Sequence, residues 1–206
     1  MTSTPRSIAL LAISTLALTG CSAAGGAAHT DTSTPTSSAT ATTSVPAPTT
    51  VTPTTAPTGS TADKNKDFAL ALPSGWITVD KVAGVGGLAL GMRSKAQEDG
   101  YYTNITVLRQ TAPDTVTLTD LVNQGSTAMR QEGGTVSTIA DRRIGGEPAK
   151  GYASDRPVQG VKVSQTQFYV LRAGKVYVIT LSCSQPRRTA ATATLTALLD
   201  SWVWTR

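Results

Sequence analysis

Hydrophobic and polar positions divide the chain into three stretches of different texture. Ile8 to Leu18 is an apolar run broken only by Ser14 and Thr15. Ser22 to Asp63 holds almost no large apolar side chain; Thr, Ser and Ala fill it, punctuated by Pro35, Pro46, Pro48, Pro53 and Pro57. From Lys64 onward apolar residues recur with the periods of regular structure.

Within that last stretch Phe68, Leu70 and Leu72 alternate onto one face, as a half-buried strand requires. Pro73-Ser74-Gly75 then turns the chain into a second extended segment, Trp76 to Val79. A weaker strand is expected around Gly87 to Met92 and a stronger one over Tyr101 to Arg109. The period then lengthens. Leu118, Leu121, Val122, Gly125, Ala128 and Met129 lie on one stripe of a helix running from Leu118 to Glu132. Thr117 and Asp120 form a capping-box-like start, and Gly133-Gly134 supplies the stop.

Four more extended runs follow: Thr135 to Asp141, Glu147 to Ser154, Val161 to Leu171 and Lys175 to Cys183. Gly145-Gly146 and Pro157 to Gly160 are turn segments, and Arg172-Ala173-Gly174-Lys175 closes the last two strands into an antiparallel hairpin. Ser184 is placed to cap a final helix with Pro186 in its first turn. Ala191, Leu195, Leu198, Leu199 and Trp202 share its apolar face, and Val203 and Trp204 pack under the sheet. Strands, a helix, four antiparallel strands and a closing helix make an α+β domain: an antiparallel β-sheet with two main helices packed on it. There is no internal repeat and no second domain.

Charge and composition then narrow the partners. Residues 64–206 carry 17 Lys or Arg against 11 Asp or Glu, about +6, scattered rather than blocked. Arg142-Arg143 and Arg187-Arg188 are the only basic doublets there. No basic stripe with interleaved aromatics appears, so nucleic acid is not expected as a partner. The apolar run at the start is shorter than the ~20 residues of a membrane span and follows Arg6, which fits a secretory leader. The Thr/Ser/Pro tract cannot bury enough surface to offset its ordering entropy and is expected to be a disordered stalk. As a flexible coil it would reach roughly 35 Å, from ~5–6 Å times the square root of its length.

Leu18-Thr19-Gly20-Cys21, an apolar residue and two small ones before a cysteine, resembles the lipobox of bacterial lipoproteins. The resemblance implies cleavage before Cys21, lipidation of that residue with acyl chains such as palmitate, and anchoring to the plasma membrane on its extracytoplasmic face. Residues 1–20 are then the lipoprotein signal peptide, 21–63 the lipidated cysteine and stalk, and 64–206 the globular domain. With Cys21 acylated, Cys183 is the sole remaining cysteine and no intramolecular disulfide can form. It shares an alternating face with Tyr177, Ile179 and Leu181, so a buried, inert thiol is expected.

The early strand ending in Leu72-Pro73-Ser74-Gly75-Trp76, the mid-chain helix, the four-strand antiparallel run and the close on Trp202-Val203-Trp204 resemble the PsbP/Mog1-like superfamily. Joined to a lipobox and stalk, the chain looks like the LpqN/LpqT-type lipoproteins of actinobacteria. The resemblance implies an antiparallel sheet with helices on its faces, an α/β/α sandwich. It also implies an accessory, partner-binding role in the cell envelope rather than an enzymatic one, with no catalytic, cofactor or metal residue to carry over.

Candidate chemistry in the domain is sparse. The sole histidine, His29, lies in the stalk, so the domain lacks the usual general base and any Ser-His-Asp or Cys-His pair. One isolated Cys among dispersed acids makes no zinc pattern. Glu98, Asp99, Asp141, Glu147, Asp155 and Asp200 could furnish a carboxylate pair for glycosidase-like chemistry only if the fold converged two of them. Gly84-Val85-Gly86-Gly87-Leu88-Ala89 matches a dinucleotide loop in letters, but no βαβ pattern surrounds it, and a surface turn is expected. Trp76, Trp202 and Trp204 are expected in the core rather than stacked on a ligand. The favoured function is a non-catalytic envelope lipoprotein whose domain binds an envelope or extracellular protein partner. The alternative is a carrier or sensor of an apolar ligand, a lipid or glycolipid, in a pocket between helix and sheet lined by Leu121, Met129, Leu195 and Trp202.

Overall fold

The computed structural model describes residues 58–82 and 85–206. The leader, Cys21, His29 and the stalk up to residue 57 lie outside the described residues. Regular pairing begins with β1 (Thr61–Ala62), ahead of Lys64, and continues through β2 (Phe68–Leu70), β3 (Trp76–Val79), β4 (Leu88–Ser94) and β5 (Asn104–Thr111). Helix α1 (Leu118–Gln131) follows, then β6 (Thr135–Thr138), β7 (Arg142–Ile144), β8 (Glu147–Val158), β9 (Val161–Arg172) and β10 (Lys175–Ser184). Helix α2 (Arg188–Asp200) and β11 (Val203–Trp204) close the chain.

The larger sheet is antiparallel throughout, in the order β3-β4-β5-β10-β9-β8-β6, and β7 also pairs with β8. The β9–β10 hairpin is the one expected, with Arg172 opposite Lys175 across Ala173-Gly174. Both turn residues have positive φ, 48° and 68°, as a two-residue turn matching the strand twist requires. The β8–β9 hairpin is tighter than its sequence suggests. Pro157 stays in the strand opposite Lys162, and only Gln159-Gly160 turn. Beyond Asp155, β8 has no β6 partner, and a strand edge is where a proline is tolerated.

The two chain ends of the domain meet in a second, three-stranded sheet, β1-β2-β11, where Phe68 opposes Trp204. Asp63 sets the entry: its carboxylate accepts backbone N–H bonds from Asn65, Asp67 and Phe68. Asp67 in turn accepts from Arg109 on β5 at 2.5 Å and from the Tyr177 hydroxyl on β10 at 3.2 Å.

Alternation along the strands splits the core between the two faces of the large sheet. Phe168, Val170, Ile179 and Leu181 face α2, together with Leu195, Leu198 and Leu199. Tyr152, Tyr169, Val176 and Val178 face the other way, toward Leu121 of α1. The helices therefore sit on opposite faces, and the expected α+β sandwich is what forms.

They are built differently. In α1 the Thr117 side chain accepts the Asp120 N–H at 3.2 Å while the Asp120 carboxylate accepts the Thr117 N–H at 3.1 Å, a reciprocal capping box. That bonding to Thr117 holds the Asp120 carboxyl below the ordinary range. The far end closes on Gly133 at φ 81°, with Gly134 N–H donating to Met129 O at 2.9 Å and Gly133 N–H to Arg130 O at 3.0 Å. Ser184, expected to cap α2, does not: its hydroxyl donates to Asp99 instead, and a 3₁₀ turn at Gln185–Arg187 leads into the helix. Tertiary contacts, not a local cap, set where α2 begins.

Candidate functional site

The run expected as a strand from Thr135 to Asp141 stops at Thr138, and a separate strand begins at Arg142. β6 pairs with β8 over Asp155 to Tyr152, and β7 pairs with the same strand over Ala149 to Glu147. Residues 139–141 bridge the two and leave the sheet edge. They form one wall of a cavity of about 380 Å³ between α2 and the β8–β10 surface. Phe168, Leu181, Cys183 and Leu195 are among its apolar walls; Asp141, Arg142, Asp155, Ser164 and Arg188 are among its polar ones, with Gln165, whose Oε1 is buried without a partner among the described residues.

Two ionic assemblies flank the space. At one, the Ser164 hydroxyl donates to Asp155 at 2.6 Å, and the Arg188 guanidinium donates to both Asp155 and Ser164. Burial alone would raise the Asp155 carboxyl; the Ser164 bond and the Arg188 charge outweigh it and hold the group below the ordinary range. At the other, Arg142 donates to Asp200 at 2.6 Å and stands over the Phe168 ring at 5.8 Å. Its Nε–H is buried and meets no acceptor among the described residues. Lys150 pairs with Asp141 at 2.5 Å beside it.

Cys183 is 1% exposed, as its alternating position predicts. Burial pushes its thiol up to about 11, with Arg188 pulling it down and Asp155 pushing it up less strongly. A thiol with that value is protonated at neutral pH and is a poor nucleophile.

Of the four residues expected to line a ligand pocket, Leu195 lines this cavity and the other three do not. Leu121 and Met129 belong to the opposite face under α1. Trp202 stacks on Phe68, with ring centroids 4.0 Å apart and planes 17° apart, in an aromatic cluster with Trp204 and Tyr177. Trp76 is half-buried against that same core. The candidate carboxylates are dispersed into ion pairs: Glu98 and Asp99 with Arg187, Asp141 with Lys150, Glu147 with Arg172, Asp155 with Arg188 and Asp200 with Arg142. Only Asp141 and Asp155 reach the cavity, each beside its own cation.

Ala83 and Gly84 lie outside the described residues, and Gly87 leads directly into β4 rather than into a helix. Among the described residues no three His, Cys, Asp or Glu gather closely enough to hold a metal, and no helix is long and apolar enough to cross a membrane. Sequence reasoning missed Phe168, Arg142 and Arg188 as cavity residues. The period of β9 puts Phe168 on one face with Ser164, but that this face is α2's follows only from the strand order.

An antiparallel sheet with a helix on each face matches the PsbP-like α+β fold. Cyanobacterial PsbP from Synechocystis matches with a TM-score of 0.53 at 18% identity, covering 70% of this chain and 91% of that one. LpqN of Mycobacterium tuberculosis, described as involved in cell envelope biogenesis, matches with a TM-score of 0.53 at 13% identity, covering 68% of this chain and 83% of that one. No family model matches the sequence, and no curated protein matches it. At these identities the likeness is one of fold.

Proposed function

We propose that this chain is an envelope lipoprotein, tethered through lipid on Cys21 to the extracytoplasmic face of the plasma membrane, whose domain binds rather than transforms its target. The lipobox, the Thr/Ser/Pro stalk and the fold shared with an envelope-biogenesis protein support the placement. The absence of a histidine from the domain, a Cys183 thiol raised to about 11 and carboxylates tied to cations support the non-catalytic reading. Binding of an envelope or extracellular protein partner is the reading that anchor and stalk favour. The cavity under α2 favours the second: an apolar envelope ligand, part of a lipid or glycolipid, held between helix and sheet.

That cavity is the observation that carries a ligand-binding role. Its volume of about 380 Å³ lies at the small end of the ~300–1,000 Å³ usual for ligand sites, and its lining mixes apolar side chains such as Phe168, Leu181 and Leu195 with polar ones such as Gln165, Thr166 and Thr192. Native mass spectrometry of protein released from its own membrane tests it: a reproducible co-purifying adduct supports the ligand reading, and bare protein argues for the protein partner. Cys21→Ala should move the chain from the membrane to the soluble fraction with the domain still folded, since the two acyl chains it removes are what stable anchoring takes. Continued membrane association of that variant would overturn the anchor.

A further inference from the structure

The large sheet ends on two edges. At one, β6 shares β8 with β7, and residues 139–141 leave the sheet between them. At the other lies β3, which pairs with β4 and has no strand on its far side. Sheet edges are commonly guarded against pairing by lysine, proline or a bulge. β3 has none of these: it is Trp-Ile-Thr-Val in unbroken register with β4. Its outward backbone groups can be assigned. Lys95 N–H donates to Gly75 O at 3.0 Å, while Ser94 N–H donates to Thr103 O, on the β5 side of β4, at 2.8 Å. Gly75 and Lys95 are therefore a hydrogen-bonded pair, and alternation makes Ile77–Arg93 and Val79–Gly91 the next ones. Trp76, Thr78 and Asp80 turn their N–H and C=O away from β4. Trp76 N–H donates to Pro73 O at 3.1 Å, and Asp80 O accepts from Lys64 Nζ at 2.5 Å. Trp76 C=O, Thr78 N–H, Thr78 C=O and Asp80 N–H remain, without a backbone partner among the described residues.

We propose that a second copy of this chain pairs antiparallel on β3 about a two-fold axis at Thr78. In that register Thr78 exchanges both backbone bonds with the other copy's Thr78, and each Asp80 N–H donates to the other copy's Trp76 O. The two groups already engaged, Trp76 N–H and Asp80 O, fall opposite each other. An unrelated strand in this register presents a free C=O to Trp76 and a free N–H to Asp80 and leaves both unpaired. The chain's own copy does not, because its groups there are already satisfied. The side chains agree. Half-buried Ile77 lies opposite half-buried Val79 in the closer, non-hydrogen-bonded kind of pair, and exposed Thr78 meets Thr78. Pro73 and Lys64 close the ladder at its ends, so the contact falls short of the ~1,200–2,000 Å² of a stable complex. The dimer is a weak one, favoured by high concentration or by a shared tether. It depends on neither the lipid anchor nor the cavity.

The test uses the full chain with Cys21→Ser, whose other cysteine, Cys183, is buried. Thr78→Cys in this background sets two thiols on residues about 5.5 Å apart between Cα atoms, within the span of a disulfide. Mild oxidation should give a disulfide-linked dimer, and Thr138→Cys, exposed on β6 at the opposite edge, should not. In sedimentation equilibrium the parent should show a reversible dimer. Thr78→Pro should weaken it at least about tenfold, as the loss of both central bonds predicts. Proline there removes an outward N–H and no β3–β4 bond, so the domain keeps its fold. Thr78→Lys, which sets like charges directly opposite each other, is the second variant should the proline disturb the strand.

A Thr78→Cys dimer no more abundant than that of Thr138→Cys is collisional and overturns the proposal. A parent dimer that both Thr78→Pro and Thr78→Lys leave intact is formed elsewhere on the molecule and overturns it too. A monomer at every concentration, with Thr78→Cys unbridged, overturns self-pairing and leaves the edge to an extended segment of another protein.

Discussion

The two faces of the large sheet carry helices of similar length under opposite regimes. α1 is close-packed: a Cβ on Gly125 would lie 2.0 Å from the Tyr169 hydroxyl and 3.1 Å from Tyr152. Its ends are fixed by local devices, a reciprocal capping box and a glycine stop. α2 has no side-chain cap, enters through a 3₁₀ turn and leaves a cavity over β8–β10. What anchors it is distant in sequence. Trp202 lies on Phe68, and Arg188 reaches Asp155 and Ser164. Both helices bury side chains against the sheet, Leu121 in α1 and Leu195, Leu198 and Leu199 in α2; the ends of α1 are set locally, those of α2 by residues distant in sequence, and the cavity opens beside Leu195.

That contrast can be broken by experiment. The largest effect should come from Trp202→Ala, which removes the stacked indole at the C-terminal end of α2 and should cost about 3–5 kcal/mol in denaturant unfolding. A loss under about 1 kcal/mol would mean the aromatic cluster is not the anchor.

Next comes a paired comparison of added methyl groups. Gly125→Ala on the close-packed face should cost about 1–3 kcal/mol by overpacking. Ala153→Val on the cavity wall should stay within about 0.5 kcal/mol, as a substitution with room to expand. Equal costs at the two sites would erase the distinction between the faces.

The smallest effect is electrostatic. Asp155 is held below the ordinary carboxylate range, so its contribution is present above the unfolded value of about 3.9 and is lost as pH falls through the lower folded value. Both side chains of the pair are partly exposed, 50% for Arg188 and 34% for Asp155, which limits the gain to about 0–1 kcal/mol. Asp155→Asn should flatten this part of the acid-denaturation profile while leaving stability at pH 7 lower by no more than that. An unchanged profile would remove Asp155 from the attachment of α2.

Much of this was written in local pattern. Period two marked the long strands, the change of period marked α1, and Thr117, Asp120 and Gly133 marked its ends. These signals act over a few residues, so they survive without knowledge of the fold. The burial of Cys183 and Trp202 followed from the same periodicity. Ser184 misled because its hydroxyl had a competing partner, Asp99, brought in from the loop before β5.

What the sequence by itself determined was the long strands, the two helices and the α+β class, but not the short strands β1, β7 and β11. Only the tertiary structure decided which face each element uses. Leu121 and Leu195, both plausible pocket residues on helical stripes, were assigned to opposite sides by a sheet order that places β10 between β5 and β9. The same order put Phe168 beside Leu181, drew Arg142 over Phe168, and let residues 139–141 leave the edge of β8. A strand's alternation says that two faces exist. Long-range pairing alone says what each face meets.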